Sequence, residues 1–263
     1  MEKLNQYNIL LGHVINTAIK AGNEILKVRN SIDINARLKQ NHTYVTDADM
    51  NANKVIMEQL NLLNLNNHAI VSEESLIPER LSKHYVWLID PLDGTSEFVR
   101  GGDEFTVNIA LTEGGEVVLG VVYVPVTNEL YFAHKEIGSY KYVGEKLNYT
   151  DLLKSSTKLP YTTTEKYTIV ASKLNLDKAT SFFIENLSEG KDVEYANRSS
   201  SLKICMVAEG NADIYPRFNS IFEWDTAAAH AIVKFAGKNI YDMYGEELQY
   251  NKESLRNPFF IVK

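Results

Sequence analysis

The sequence predicts a mixed fold of the α+β or α/β class, built from layers of sheet and helix. Long segments with apolar residues at helical spacing open the chain, short β-like runs joined by tight turns fill its middle, and strands alternate with helices beyond. With 263 residues, 44% of them hydrophobic, the chain has ample material for a buried core.

Taken in order, Ile9, Leu10, Val14, Ile15, Ile19, Ile25 and Leu26 recur at helical spacing with polar residues between, which predicts a helix rather than a signal peptide or a membrane span. Thr46-Asp47-Ala48-Asp49 opens a second helix with Val55, Ile56, Leu60 and Leu63 on one face. Thr46 and Asp49 fit a capping box, in which two side chains satisfy the first free amides. Strands are predicted at 69–71, 86–89, 105–111, 117–124 and 129–133. The turns at 113–116 and 127–128 are short enough to require antiparallel hairpins.

From 146 to 166 the chain becomes polar and rich in Lys, Thr and Ser, which predicts a crossover between two halves. The N-terminal half, 1–150, would hold the antiparallel sheet and most acidic sites; the C-terminal half, 151–263, would be α/β. There a strand is predicted at 167–171, helices at 178–186 and 201–209, a strand at 212–215, and a helix at 225–235 closed by Gly237.

The formal charge of −7 and the lack of any Lys/Arg block exclude a polynucleotide partner, whose binding relies on clustered positive charge. The single cysteine, Cys205, excludes internal disulfides and fits a reducing cytoplasm; flanked by Ile204, Met206 and Val207, it reads as core. Six histidines lack zinc-site pairing, and no Gly-x-Ser-x-Gly elbow, P-loop or dinucleotide glycine pattern occurs. Gly101-Gly102-Asp103-Glu104-Phe105 spells the diguanylate cyclase pentapeptide, but without the metal and nucleotide features that surround it in a cyclase.

The most informative stretch is Asp90-Pro91-Leu92-Asp93-Gly94-Thr95, directly after the apolar run 85–89. Carboxylates ~4 Å apart repel by about 4 kcal/mol even at an effective dielectric of 20. A divalent cation reverses that sign, and Mg²⁺ takes aspartates, a backbone carbonyl such as that of Leu92, and a phosphate oxygen as ligands. The Gly94 and Thr95 amides could face the phosphate if a helix starts there. Glu73, at the end of a predicted strand, could project from the same sheet edge, or stand with Glu74 in a solvated loop. Asp225 could join them, or serve only as a helix cap. All four acidic sites fall at element ends, where sheet-and-helix proteins place their chemistry.

Together these segments resemble the inositol-monophosphatase-like, lithium-sensitive phosphatase superfamily, and within it the bacterial 3′(2′),5′-bisphosphate nucleotidases. The superfamily pattern is carried by WLIDPLDGTSEF, VSEES and EWDTAAAHA, and the branch by EFTVNIAL, LGVVYVP and SSLKICMVAEGNADIYPRF. The resemblance implies a layered αβαβα sandwich of the inositol monophosphatase and fructose-1,6-bisphosphatase type. It also implies two or more Mg²⁺ ions held by Glu73, Asp90, Asp93, Asp225 and the Leu92 carbonyl. Asp49 and Thr95 would orient the attacking water, Gly94 and Thr95 amides would hold the substrate phosphate, and Lys203 and Arg217 would meet a second phosphate. The implied substrate is a small nucleotide, adenosine 3′,5′-bisphosphate, giving AMP in support of sulfur metabolism; an inositol or sugar phosphatase and a non-catalytic nucleotide or metal sensor are the alternatives. Two departures from the branch, Ser199 in place of Gly and Ala171-Ser172-Lys173-Leu174 in place of Ser-Arg-Ser-His, touch nucleotide contacts rather than metal chemistry. Monomer and homodimer both fit the sequence.

Overall fold

A computed structural model describes residues 2–39, 44–63, 67–75, 78–144, 152–172, 178–190 and 192–263. Helix α1 (Glu2–Arg29) buries Leu11, Val14, Ile15, Ala18, Ala21, Ile25 and Val28, a single stripe at three- and four-residue spacing. A two-stranded hairpin, β1 (Arg37–Leu38) with β2 (Tyr44–Val45), leads to helix α2 (Asp47–Asn61), which buries Ala48, Ala52, Ile56 and Leu60. The two helices pack on each other and on one face of the main sheet.

That sheet has seven strands in sequence order: β3 (His68–Ser72), β4 (Tyr85–Asp93), β5 (Thr106–Glu113), β6 (Glu116–Val124), β7 (Glu129–His134), β8 (Gly138–Val143) and β9 (Thr157–Lys158). Only β3 and β4 run parallel; every later pair is antiparallel, as the short turns require. Side chains alternate cleanly: Trp87, Ile89, Val107, Ile109 and Val121 face α1 and α2, whereas Val86, Leu88, Ala110 and Val122 face the other way. Strand β8, which lacks such alternation, was not expected from the sequence. Short helices α3 (Thr95–Val99) and α4 (Leu152–Ser155) lie in the connections after β4 and β8.

The second face is covered by α6 (Leu202–Glu209) and α7 (Ala227–Phe235), and beyond them lies a second layer of strands. There β10 (Tyr167–Ser172) and β11 (Val193–Arg198) pair in parallel across helix α5 (Lys178–Ser188). A three-stranded antiparallel set follows in the order β12 (Tyr215–Arg217), β14 (Phe260–Val262), β13 (Ile240–Asp242). A parallel bridge between Ile169 and Ile214 joins the two sets, and α5 closes the stack against β12. The result is the αβαβα layering.

Several boundaries differ from the sequence reading, two of them in the C-terminal half for a visible reason. The strand expected at 212–215 begins only at Tyr215, because Asp213 turns its carboxylate onto the Thr168 amide (2.8 Å) and the Thr164 hydroxyl (2.7 Å). Pro216 is tolerated because β12 is an edge strand. The expected helix at 225–235 begins at Ala227, because 223–225 form a separate 3₁₀ turn. The expected closure holds: Gly237, with φ 93°, follows the C-cap Ala236. Residues 146–151 of the expected crossover, and Lys173 and Leu174, lie outside the described residues; the rest of the crossover carries α4 and β9.

Helix α7 rests on β6 at Gly120, where a Cβ would stand 2.3 Å from the Ala228 carbonyl oxygen and 2.7 Å from the Ala231 Cβ. Neither neighbour can rotate away. Gly120→Ala is expected to cost about 1–3 kcal/mol, read as a lower urea midpoint; an unchanged midpoint would show that α7 does not rest on this contact.

Candidate active site

Strand β4 delivers two acids through a bulge. Asp90 stands opposite Asn108 and Asp93 opposite Thr106, so β4 carries one extra residue between those pairs. Pro91, with no amide to offer the ladder, sits inside the bulge. The sequence reading ended this strand at Ile89; the structure keeps Asp90 and Asp93 within it, which fixes both carboxylates on a rigid element. Asp90 accepts the Leu92 amide (3.0 Å) and is 1% exposed, while Asp93, Glu73 and Asp225 are only half-buried and rim the same corner.

After β4 the chain turns through Gly94, at φ 96°, where a Cβ would meet the Ser200 hydroxyl at 2.3 Å. Helix α3 then starts at Thr95, so its first amides have no carbonyl one turn earlier. The Thr95 hydroxyl lies 3.0 Å from Asp49 Oδ1 and 3.1 Å from the Leu92 carbonyl. Asp49 does two things at once. Its Oδ2 accepts the Thr46 amide and hydroxyl, both at 2.7 Å, and the Thr46 hydroxyl accepts the Ala48 amide, which completes the predicted capping box. Its Oδ1 remains for Thr95. Asp47, on the other side of the turn, faces Asn35 instead (2.6 Å).

Glu73 follows β3, tied by its amide to the Ile89 carbonyl (3.1 Å). Neither Glu73 nor Glu74 stands free in a loop: Lys39 reaches Glu73 at 2.8 Å and Glu74 at 2.6 Å. Asp225 ends the 3₁₀ turn, and its Oδ2 accepts the Phe222 amide (2.7 Å). Its capping role is therefore real but serves that turn, not helix α7. The turn packs against β4 and β5, which carries Asp225 to the Asp90 corner.

The acids share one electric field. Burial raises the Asp90 carboxyl well above its ordinary range, and the charges of Glu73, Asp93, Asp225 and Asp49 push in the same direction. Burial, then Asp93 and Glu73, drives Asp225 up to about 8. Glu73 is raised by burial, against the opposing pull of Lys39. Asp49 is raised by burial, with the Thr46 and Thr95 hydrogen bonds acting against it. Asp93 is raised by burial despite the nearby Lys203 charge and the Ser201 amide. Among the described residues no three Asp, Glu, His or Cys side chains reach the mutual spacing of a closed metal cage. Bare carboxylates in one field repel, and the Lys39 ammonium stands at the Glu73 corner as a cation of the right sign. The donor set is all oxygen, which suits a hard divalent ion.

Lys203 and Arg217 are not ordinary surface charges. Lys203 is 5% exposed, donates to the Ser200 carbonyl (2.8 Å) and lies 5.6 Å from the centre of the Tyr215 ring. Arg217 donates to the Tyr215 hydroxyl (3.1 Å), and its Nε is buried without a hydrogen-bond partner among the described residues. The sequence reading missed Lys39 and Asn108 and assigned Ser200 and Ser201 no role. Asn108, Ser200 and Ser201 lie inside the EFTVNIAL and SSLK segments, which was the available signal; nothing near Lys39 marks it. The cyclase-like pentapeptide is structural: Asp103 pairs with Arg29 (2.5 Å), Glu104 with Arg198 (2.7 Å), and Phe105 is core. Ser199, the departure from Gly, donates its amide to Glu104 (2.9 Å).

Comparison with known proteins identifies the family. The model of the inositol monophosphatase family matches residues 9–258. The 3′(2′),5′-bisphosphate nucleotidase CysQ of Salmonella typhimurium is 36% identical, covering 96% of this chain and 99% of its own. CysQ of Escherichia coli K12 is 35% identical over the same shares. The crystal structure of CysQ from Bacteroides thetaiotaomicron, described as a bacterial member of the inositol monophosphatase family, superposes with a TM-score of 0.89 at 38% identity, covering 98% of this chain and 97% of that one. On its sequence, its layering and the acids gathered at the end of β4, the chain belongs to the inositol monophosphatase family.

Proposed function

We propose that this chain is a Mg²⁺-dependent phosphatase that removes the 3′-phosphate of adenosine 3′,5′-bisphosphate, giving AMP and orthophosphate. The observation that carries the reading is the field shared by Asp49, Glu73, Asp90, Asp93 and Asp225, which a multivalent cation would neutralise while leaving the acids ionised. Glu73, Asp90, Asp93 and Asp225 would hold two or more Mg²⁺ ions with the Leu92 carbonyl. Bound there, Mg²⁺ supplies charge neutralisation and lowers the pKa of an attacking water. The bisphosphate substrate rests on the relatives named as nucleotidases and on two buried cations beside the acids.

The residues of the chain do the positioning. The Thr95 hydroxyl has Asp49 Oδ1 (3.0 Å) and the Leu92 carbonyl (3.1 Å) as acceptors for its one hydrogen; donating it to Asp49, the hydroxyl would offer a lone pair to the attacking water. Asp49, with its proton affinity raised by burial, is the acceptor for the Thr95 proton. The amides of Gly94 and Thr95 would bind the transferring phosphate at the start of α3. Arg217 has an unspent Nε and Lys203 a fixed ammonium; these would meet the second phosphate, the guanidinium in bidentate fashion. No helix among the described residues is long and apolar enough to cross a membrane. The reading places the enzyme in the cytoplasm, clearing a by-product of sulfate-donor use.

Asp93→Asn is expected to lower kcat by at least about a hundredfold, since loss of a ligand exceeds the loss of a group that merely orients one. The circular dichroism spectrum should be retained; undiminished turnover contradicts the ligand set. Phosphate release in Mg²⁺, compared across adenosine 3′,5′-bisphosphate, inositol 1-phosphate and fructose 1,6-bisphosphate, is expected to favour the first. Preference for inositol 1-phosphate would overturn the substrate, and binding without turnover on all three would leave a sensor.

Stability should follow the acids. Asp225 titrates near 8 when folded against an ordinary 3.8, so between those values the folded chain holds a proton that the unfolded chain has released. Without cation, stability therefore falls as pH rises toward 8. Below 6.5 the trend is opposed by His134 and His230, which burial lowers to about 4, since there the unfolded chain takes up the protons. The clean window is pH 6.5 to 8. In chelator the melting temperature should drop across it, and saturating Mg²⁺ should raise it most at pH 8; a flat profile with no Mg²⁺ effect contradicts the shared field.

A further inference from the structure

Two segments marking the nucleotidase branch meet behind Asp93. Asn108, from EFTVNIAL, and Ser201, from SSLK, lie 93 residues apart and join through the Ser201 hydroxyl and Asn108 Oδ1 at 3.0 Å. Thr106 closes a triangle, 3.0 Å from Asn108 Oδ1 and 2.9 Å from the Ser201 hydroxyl. Thr106 and Asn108 are 0% exposed and Ser201 2%. A buried amide in a central strand has poor β propensity and is costly unless bonded. Its outlet is Asp93: Asn108 Nδ2 reaches Asp93 Oδ2 at 3.3 Å, and the Ser201 amide reaches the same oxygen at 2.7 Å.

The hydrogen inventory fixes the direction of the cluster. Thr106 and Ser201 bring two hydroxyl hydrogens to three contacts, so two edges of the triangle are hydrogen bonds and Asn108 Oδ1 accepts at least one of them. That leaves the Asn108 NH₂ toward Asp93. The reverse orientation would set a carbonyl oxygen against a carboxylate oxygen. Both N–H donors therefore point at Asp93 Oδ2 and fix the carboxylate plane, leaving Oδ1 at the half-buried rim with no hydrogen-bond partner among the described residues. The β-bulge explains why such a brace is needed: it falls between the Asp90–Asn108 and Asp93–Thr106 pairs, so the ladder alone does not set the Asp93 side chain.

We propose that Thr106, Asn108 and Ser201 are positioning residues that aim Asp93 Oδ1 at the cation, so that cation affinity is set from beneath the site by this buried cluster. The inference rests on the reading of Asp93 as a ligand. Thr106 makes it separable, because among the contacts described its hydroxyl meets Asn108 and Ser201 and never Asp93.

The test is Mn²⁺ binding to the full chain without substrate, followed by electron paramagnetic resonance of the free ion, with Asp93→Asn defining the Asp93-dependent site. Asn108→Ala is expected to weaken that site about tenfold, in the range usual for groups that orient a metal ligand. Thr106→Val, nearly isosteric, should weaken it by about threefold, and Thr106→Ser, which restores the hydroxyl, should recover it. In a double-mutant cycle Thr106→Val should add nothing to Asn108→Ala, since both act through one amide. If Asn108→Ala and Thr106→Val lower only the melting temperature and leave Mn²⁺ affinity intact while Asp93→Asn loses it, the cluster is structural and the inference fails alone. If Asp93→Asn binds Mn²⁺ like the wild type, the ligand reading and the inference fail together.

Discussion

Like charge gathered in a place from which water is largely removed is the constraint on which this structure turns. Asp90 lies at the floor, and Glu73, Asp93, Asp225 and Asp49 act on it from four other positions in the chain. Four devices hold the five acids: a sheet bulge carries Asp90 and Asp93, and a strand end, a 3₁₀ turn and a capping box carry Glu73, Asp225 and Asp49. Desolvated like charges are unfavourable, so the surrounding fold must offset them, and two apolar cores on either face of the seven-stranded sheet do so. Strain of this kind tends to persist where function requires it.

The cations supplied by the chain are few and placed. Lys39 bridges Glu73 and Glu74, while Lys203 acts on Asp93 and Arg217 on both Asp93 and Asp225. They leave the centre uncompensated, the arrangement expected of a site completed by something from solution. Local folding chemistry and site chemistry also use the same atoms. Asp49 caps α2 with one oxygen and meets Thr95 with the other, so the start of a helix and the orientation of a hydroxyl are a single feature. Ser201, at the N-cap of α6, likewise spends its amide on Asp93 rather than leaving it to solvent.

Legibility in the sequence followed the locality of the forces involved. The hairpins from β5 to β7, the capping box and the Gly237 closure depend on neighbours in the chain, and all are in the structure as expected. The acids at Glu73, Asp90, Asp93 and Asp225 were legible as residues at element ends, and the structure brings them together. What was not legible depends on distant partners. Asp213 trims β12 by reaching back to Thr168, and Lys39 finds Glu73 across 34 residues. Lys203 and Arg217 could equally have been surface charges by spacing; only packing on Tyr215 shows otherwise. Asn108 hid because a polar residue in an apolar run signals nothing until its partner on another element is known.

The central claim is that these acids form one cation-binding corner. Anomalous diffraction from crystals grown in Mn²⁺ tests it most directly. The account predicts strong peaks at ordinary oxygen-ligand distances from Asp90, Asp93, Glu73 and Asp225, with the Lys39 ammonium withdrawn from Glu73. Saturating Mn²⁺ that leaves this corner without a peak, or binds elsewhere on the chain, would contradict it.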